Sequence, residues 1–147
     1  MYKLTTIILL TTLLVTSCRT SKKIEIPQAK IDDICESMIF NISSVNNISS
    51  DYYTVDTIFI ANDCLNIWVS YSGGCGDADF SLYYNDNIQE SMPPKTSLRL
   101  QLADNDPCRA IVQQKLYYNL SFFDDYANKN GILLVLSGND KSVLYKR

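Results

Sequence analysis

The stretch Val55-Asp56-Thr57-Ile58-Phe59-Ile60-Ala61-Asn62-Asp63-Cys64-Leu65-Asn66-Ile67-Trp68-Val69-Ser70-Tyr71 decides how this chain folds. Before Asn62, the residues Val55, Thr57, Phe59 and Ala61 alternate with Asp56, Ile58 and Ile60. After Asp63, Leu65, Ile67, Val69 and Tyr71 alternate with Asn66, Trp68 and Ser70. A period of two sends successive side chains to opposite faces of a strand. Asn-Asp between two such runs tolerates the left-handed backbone of a tight hairpin turn. The stretch therefore reads as a β-hairpin.

The same period continues toward the C-terminus. Gly73-Gly74-Cys75-Gly76 interrupts the sheet, and Phe80 to Tyr84 reads as a third strand. After a turn at Pro93-Pro94, Leu98, Leu100 and Leu102 alternate with Arg99 and Gln101, as a half-buried strand requires. Asp104-Asn105-Asp106-Pro107 turns the chain again, and Ile111 to Leu120 alternates once more. Ile132 to Leu136 is a continuous apolar run, expected of a central strand covered on both faces. Ser142 to Tyr145 is placed to pair with it across Gly138-Asn139-Asp140. About seven short strands with regularly spaced turns are the pattern of an antiparallel, immunoglobulin-like β-sandwich.

On the N-terminal side the period changes. Ile31, Ile34, Cys35, Met38 and Ile39 fall on one helical face with Asp32, Asp33 and Glu36 opposite, and Pro27 suits a helix start. Residues 28–40 are read as a short helix, with a strand over Met38 to Ile42 as the alternative. Ser43 to Asp51, rich in Ser and Asn, reads as a loop. The chain opens with Met1-Tyr2-Lys3, an apolar run from Leu4 to Val15 broken by four threonines, and then Thr16-Ser17-Cys18. This is the layout of an export signal, and the run is too short for a membrane span, which needs about 20 apolar residues. Val15-Thr16-Ser17-Cys18 resembles a bacterial lipobox. That resemblance implies cleavage after residue 17 and lipidation of Cys18, with residues 18–27 as a polar tether and 28–147 as one domain. Arg19, not an acidic residue, follows the cysteine, which favours an outer-membrane lipoprotein facing the periplasm.

Composition narrows the function. The chain has 147 residues, a net charge of −3 and no histidine. Absence of histidine removes Ser-His-Asp and Cys-His catalysis and histidine-ligated zinc. The mild acidic balance argues against nucleic acid, which calls for a basic patch. Removing the leader leaves about 130 residues, enough for one domain. Apart from Cys18, the cysteines are Cys35, Cys64, Cys75 and Cys108. An even number in an exported chain points to disulfides.

Gly73-Gly74-Cys75, then Phe80-Ser81-Leu82, then Asp106-Pro107-Cys108 after a Leu-rich strand resembles a group of small lipoproteins from Bacteroidetes-type bacteria, the NigD-like proteins. The likeness spans about residues 55–145 and implies a small extracytoplasmic β-sandwich. Family members often carry a histidine two residues before the phenylalanine; this chain has Ala78 there, so no role tied to that histidine is carried over. Cys75 and Cys108 each lie in a Gly- or Pro-bearing turn beside a strand end. Linking them would close a loop of about 30 residues and contribute about 3–4 kcal/mol. Cys35 and Cys64 would then be left to pair, although four cysteines allow three connectivities and the sequence does not choose among them.

The same staple would gather Asp77, Asp79, Asp104 and Asp106, an oxygen-rich set that a calcium ion could accept. Aspartates are also the ordinary turn-formers of such chains, and that is the favoured reading, with no metal, cofactor or catalytic residue assigned. Mutual repulsion would raise some of these carboxyl pKa values unless donors compensate. The tyrosine pairs at 52–53, 83–84 and 117–118 would put one ring on each face of a strand; the outward ones would suit a recognition surface, although such rings are more often cross-strand packing pairs. The Asn-x-Ser triplets at Asn41, Asn47 and Asn119 match glycosylation acceptors that a bacterial lipoprotein does not use by default. The sequence thus points to a non-enzymatic binding or structural module, membrane-attached through its lipid, with an envelope protein or glycan as partner. A small carboxylate-dependent hydrolase and an inhibitor of a periplasmic enzyme are the alternatives.

Overall fold

The computed structural model describes residues 35–40 and 48–147. The signal, Cys18, the tether and residues 28–34 of the expected helix lie outside them. The strands are β1 (Ile39–Phe40), β2 (Tyr53–Ala61), β3 (Cys64–Gly73), β4 (Ala78–Gln89), β5 (Lys95–Asp104), β6 (Ala110–Asn119), β7 (Ile132–Leu136) and β8 (Ser142–Tyr145). A 3-10 turn (Ser121–Phe123) and a one-turn helix α1 (Asp124–Ala127) lie between β6 and β7. One sheet runs β2-β3-β6 and the other β1-β4-β5-β7-β8. The fold is therefore mainly β and sandwich-like, as the alternating runs require. Two neighbouring pairs, β1 with β4 and β5 with β7, are parallel. The second follows from a chain that leaves β5, builds β6 in the opposite sheet and returns through the 121–127 turns.

The hairpin forms as read. Ala61 faces Cys64, and Asn62 and Asp63 both take positive φ, 52° and 60°, the turn geometry that matches strand twist. The alternation in β2 is broken, however. The register shifts between Val55 and Thr57, leaving Asp56 as a bulge. One extra residue exchanges the faces of everything beyond it. Val55 is buried, Ile58 and Ile60 pack against the core, and Phe59 faces outward, 37% exposed.

The core is the set of inward positions of both sheets. Leu65, Ile67 and Val69 from β3 and Leu116 and Tyr118 from β6 meet Leu82 and Tyr84 of β4, Leu98, Leu100 and Leu102 of β5 and Leu134 of β7. Each such side chain contributes about 1.5–3 kcal/mol when fully buried. Tyr53 adds a polar pin, its hydroxyl donating across the sandwich to the Leu100 carbonyl at 2.7 Å. In β7 the burial alternates, with Ile132, Leu134 and Leu136 inside and Leu133 and Val135 half-buried.

The described part of the expected helix is extended instead, and Ile39–Phe40 form a strand within the alternative span of Met38 to Ile42. The Glu36 N–H donates to the Tyr117 carbonyl at 2.8 Å and its carbonyl accepts from Asn119 N–H at 2.9 Å, alongside β6. Three residues later Ile39 and Phe40 pair with Tyr83 and Tyr84 at the edge of the other sheet. The segment crosses from one sheet edge to the other. Open edges of β6 and β4 offer backbone partners, and these long-range pairings override the local helical spacing. The expected loop is ordered along β5 in its described part. Asp51 N–H donates to the Leu102 carbonyl, Ser50 Oγ accepts from Leu102 N–H, and Arg99 donates to the Ile48 carbonyl. This segment covers the half of β5 that β7, paired only with residues 95–98, leaves open.

Candidate binding surface

Two disulfides staple opposite ends of β3. Cys35 and Cys64 are joined with Cα atoms 6.1 Å apart, and Cys75 and Cys108 with Cα atoms 5.8 Å apart. At the first end Asp63, in the hairpin turn, accepts the Tyr145 hydroxyl at 3.1 Å and the Arg147 guanidinium at 2.7 Å. Asp124 accepts from the same two residues at 2.8 Å and 2.7 Å. Hydrogen bonding from Arg147 holds the Asp63 carboxyl below its usual range. This network locks the C-terminal residues onto the turn and α1; all four of its groups escape notice in the sequence because their partners are 21 to 84 residues away.

At the second end the four candidate carboxylates do not converge. Asp106 folds into its own loop, where its carboxylate accepts backbone N–H groups of Gly74, Cys75 and Cys108, the last two at 3.0 Å and 2.8 Å. Asp104 accepts the Asp106 N–H at 2.8 Å. Asp77 contributes its backbone carbonyl to Asn105 N–H, and Asp79 is exposed on β4 opposite Ala103. Among the described residues one trio of metal-type ligand atoms gathers within 4.8 Å, Cys75, Asp106 and Cys108, and its two sulfurs are consumed by the disulfide. Asp104 and Asp106 act as loop acceptors, and the four aspartates do not form one site for a calcium ion. The expected repulsion is also reversed at Asp106. The N–H of Cys108, followed by those of Cys75, Gly76 and Gly74, outweighs burial and lowers its pKa to about 2.

The glycines are needed for this approach. Gly74 has φ +119°, and a Cβ on Gly76 would stand 2.9 Å from Asp106 Cα. Because the folded Asp106 pKa lies below the unfolded value of 3.8, its contribution to stability is present above pH 4 and is lost as pH falls toward 2. Asp63, shifted the same way, adds to the loss. The denaturation midpoint is expected to drop as pH falls from 4 to 2, more steeply for the native chain than for Asp106→Asn. Equal slopes would show that the loop cap carries no pH-dependent stability.

The outer face of the three-stranded sheet carries a different chemistry. In register across the strands stand Phe59, the buried Asn66 and Tyr117, then Thr57, Trp68 and Lys115, then Thr54, Ser70 and Gln113, and at the stapled end Ser72 beside Ile111. Lys115 Nζ lies 5.3 Å, 5.8 Å and 4.8 Å from the ring centroids of Phe59, Trp68 and Tyr117. No carboxylate of the described residues lies within ion-pair distance of it. Phe59 and Trp68 are each 37% exposed, while Tyr52 and Ile111, toward the other end, are 82% and 85% exposed. A hollow of about 250 Å³ opens there, lined by Tyr52, Thr54, Ser70, Tyr71, Ser72 and Ile111. A second, of about 340 Å³, shares Tyr52 and Ser72 and reaches Asp104, Asp106 and Arg109. Each tyrosine pair splits as its spacing predicts: Tyr53, Tyr84 and Tyr118 turn inward, and Tyr52, Tyr83 and Tyr117 outward. The cluster around Lys115 was beyond sequence reading, because it needs the bulge at Asp56 to bring Phe59 to this face.

No protein-family profile matches the chain, and no curated protein does. Solved structures share its fold. A protein of unknown function (DUF1344) from Bacteroides vulgatus superposes with a TM-score of 0.51 at 18% identity, over 77% of this chain and 56% of that one. A protein described as toxin-related from Parabacteroides distasonis gives 0.51 at 19% identity, over 77% and 61%. The chain thus spans about three fifths of the length of each structure. At these identities the likeness is one of fold.

Proposed function

We propose that this chain is a lipid-anchored protein of the bacterial envelope, related to the NigD-like group, whose sandwich is a non-enzymatic binding module working through the outer face of the three-stranded sheet. The observation that carries the reading is the half-exposed aromatic cluster of Phe59, Trp68 and Tyr117 around Lys115. Rigid aromatic side chains supply contact area at low entropic cost, and Trp and Tyr dominate the energetics of binding surfaces. The three-stranded sheet is braced on both sides by disulfides, so the face is presented as a preorganised plane. The carboxylates that a hydrolase would use at the stapled end, Asp104 and Asp106, are engaged with backbone N–H groups. Anchoring rests on the Val15-Thr16-Ser17-Cys18 motif.

The test has two parts. A fatty-acid probe fed to producing cells is expected to label the native chain and not Cys18→Ser; an unlabelled native chain contradicts the anchor. A photo-crosslinking side chain placed at Thr57 or Gln113, on the outer face, is expected to capture an envelope component, whereas one at Ser81 of β4, in the other sheet, is not. Capture from Ser81 alone contradicts the assignment of the face.

A further inference from the structure

The chemistry along this face selects among ligands. Its apolar groups are not contiguous. Rings lie at one end, Tyr52 and Ile111 at the other, and between them Thr54, Ser70 and Gln113 present hydroxyl and amide groups. From Asn66 to Ser72 the face runs six residues along β3, roughly 20 Å at strand rise, the length of a few sugar rings. A protein hot spot calls for a continuous, fully desolvated apolar centre. A sugar chain instead offers flat C–H faces that stack on rings, with hydroxyls between them for hydrogen bonding. The alternation of ring and polar group fits the sugar.

Charge refines the choice. Lys115 is a cation on this face with three ring faces for company and no described carboxylate as partner. Two strands over on β2, roughly 10 Å away at strand spacing, Asp56 accepts the Ser70 hydroxyl at 2.6 Å. The face therefore welcomes one negative charge at Lys115 and repels a second beyond it. The whole chain, at −3, also disfavours a polyanion. Resting on the binding-module reading above, we propose that the face takes a glycan with a single carboxylated sugar, stacked on Trp68 and Tyr117 with its carboxylate on Lys115.

Trp68 is the one tryptophan of the chain and so reports binding directly. The full-length oxidised protein is titrated with 3′-sialyllactose, with lactose and with polygalacturonate, following tryptophan fluorescence. Saturable binding of sialyllactose is expected to be tighter than that of lactose by about fivefold, the scale of one solvent-exposed ion pair, and the gap should shrink in high salt. Lys115→Met keeps the aliphatic stem and should close the gap without changing the melting temperature. Asp56→Asn should strengthen binding of polygalacturonate. Equal binding of sialyllactose and lactose by the native chain, a gap that survives in Lys115→Met, or tightest binding of polygalacturonate each overturns the proposal while leaving the face as a binding surface. Absence of any response to all three sugars also overturns it. The photo-crosslinking experiment, which presumes no ligand class, then decides separately whether the face binds anything.

Discussion

Replacing Cys75 and Cys108 together by alanine is expected to lower the unfolding free energy by about 3–4 kcal/mol, the chain-entropy value for a loop of this length. The bridge spans 33 residues of sequence, so the unfolded chain without it gains a large loop's freedom. The native side loses little beyond the bridge, because Asp106 still accepts the N–H groups of Gly74 and Cys108. The double substitution avoids the free thiol that a single one would leave. Urea denaturation with a lower midpoint and a somewhat steeper slope is the expected record, because the unbridged unfolded chain exposes more surface. A loss below about 1 kcal/mol would mean that the Asp106 cap alone holds the two loops together.

Phe123→Ala is expected to cost about 3–5 kcal/mol, the range for truncating a buried phenylalanine. Phe123 has no exposed surface and packs edge-on against Tyr84, ring centroids 5.1 Å apart, and against Phe122 at 5.2 Å. It sits in the 3-10 turn that returns the chain from β6 to the opposite sheet. Truncation therefore leaves a cavity and loosens the crossover at the same place. Phe123→Leu, which keeps most of the volume, should lose less than half as much. Near-equal losses for the two variants would show that the aromatic edge contacts, not the filled volume, hold this turn.

How far the fold was legible depended on whether the deciding contact was local. The hairpin at Asn62-Asp63, the Leu98-Leu100-Leu102 strand and the return from Leu136 to Ser142 were all readable, since strand period and turn residues are short-range signals. The bulge at Asp56 was not, because the alternation of letters runs through it unbroken and only the pairing with Val69 and Trp68 reveals the skipped residue. In segment 35–40 the strand alternative holds at Ile39–Phe40 and the helix does not, for a related reason. Its spacing suits a helix, yet its backbone partners lie on β6 and β4, about 45 to 80 residues on. The turns at 121–127 carry no side-chain cap to announce them. At the stapled end the cysteines and glycines were legible as a unit, but the aspartates beside them looked like a cluster until the loop turned Asp106 onto backbone N–H groups. The outward tyrosines could be read from pair spacing, whereas Lys115 joins Phe59, Trp68 and Tyr117 only through the register of three strands.

If the outer face of the three-stranded sheet is occupied in the envelope, as proposed, its side chains are shielded there. Lys115 lies within that face, and Lys141 and Lys146 lie exposed elsewhere. Cells producing the full chain, and the same protein after purification, are acetylated with a membrane-permeant amine reagent, and the three lysines are quantified by mass spectrometry. The intramolecular ring contacts of Lys115 are present in both samples, so they cancel in the comparison. Lys115, relative to Lys141 and Lys146, is expected to react several-fold more slowly in cells than in the purified protein. Equal relative reactivity in the two samples would contradict that occupancy.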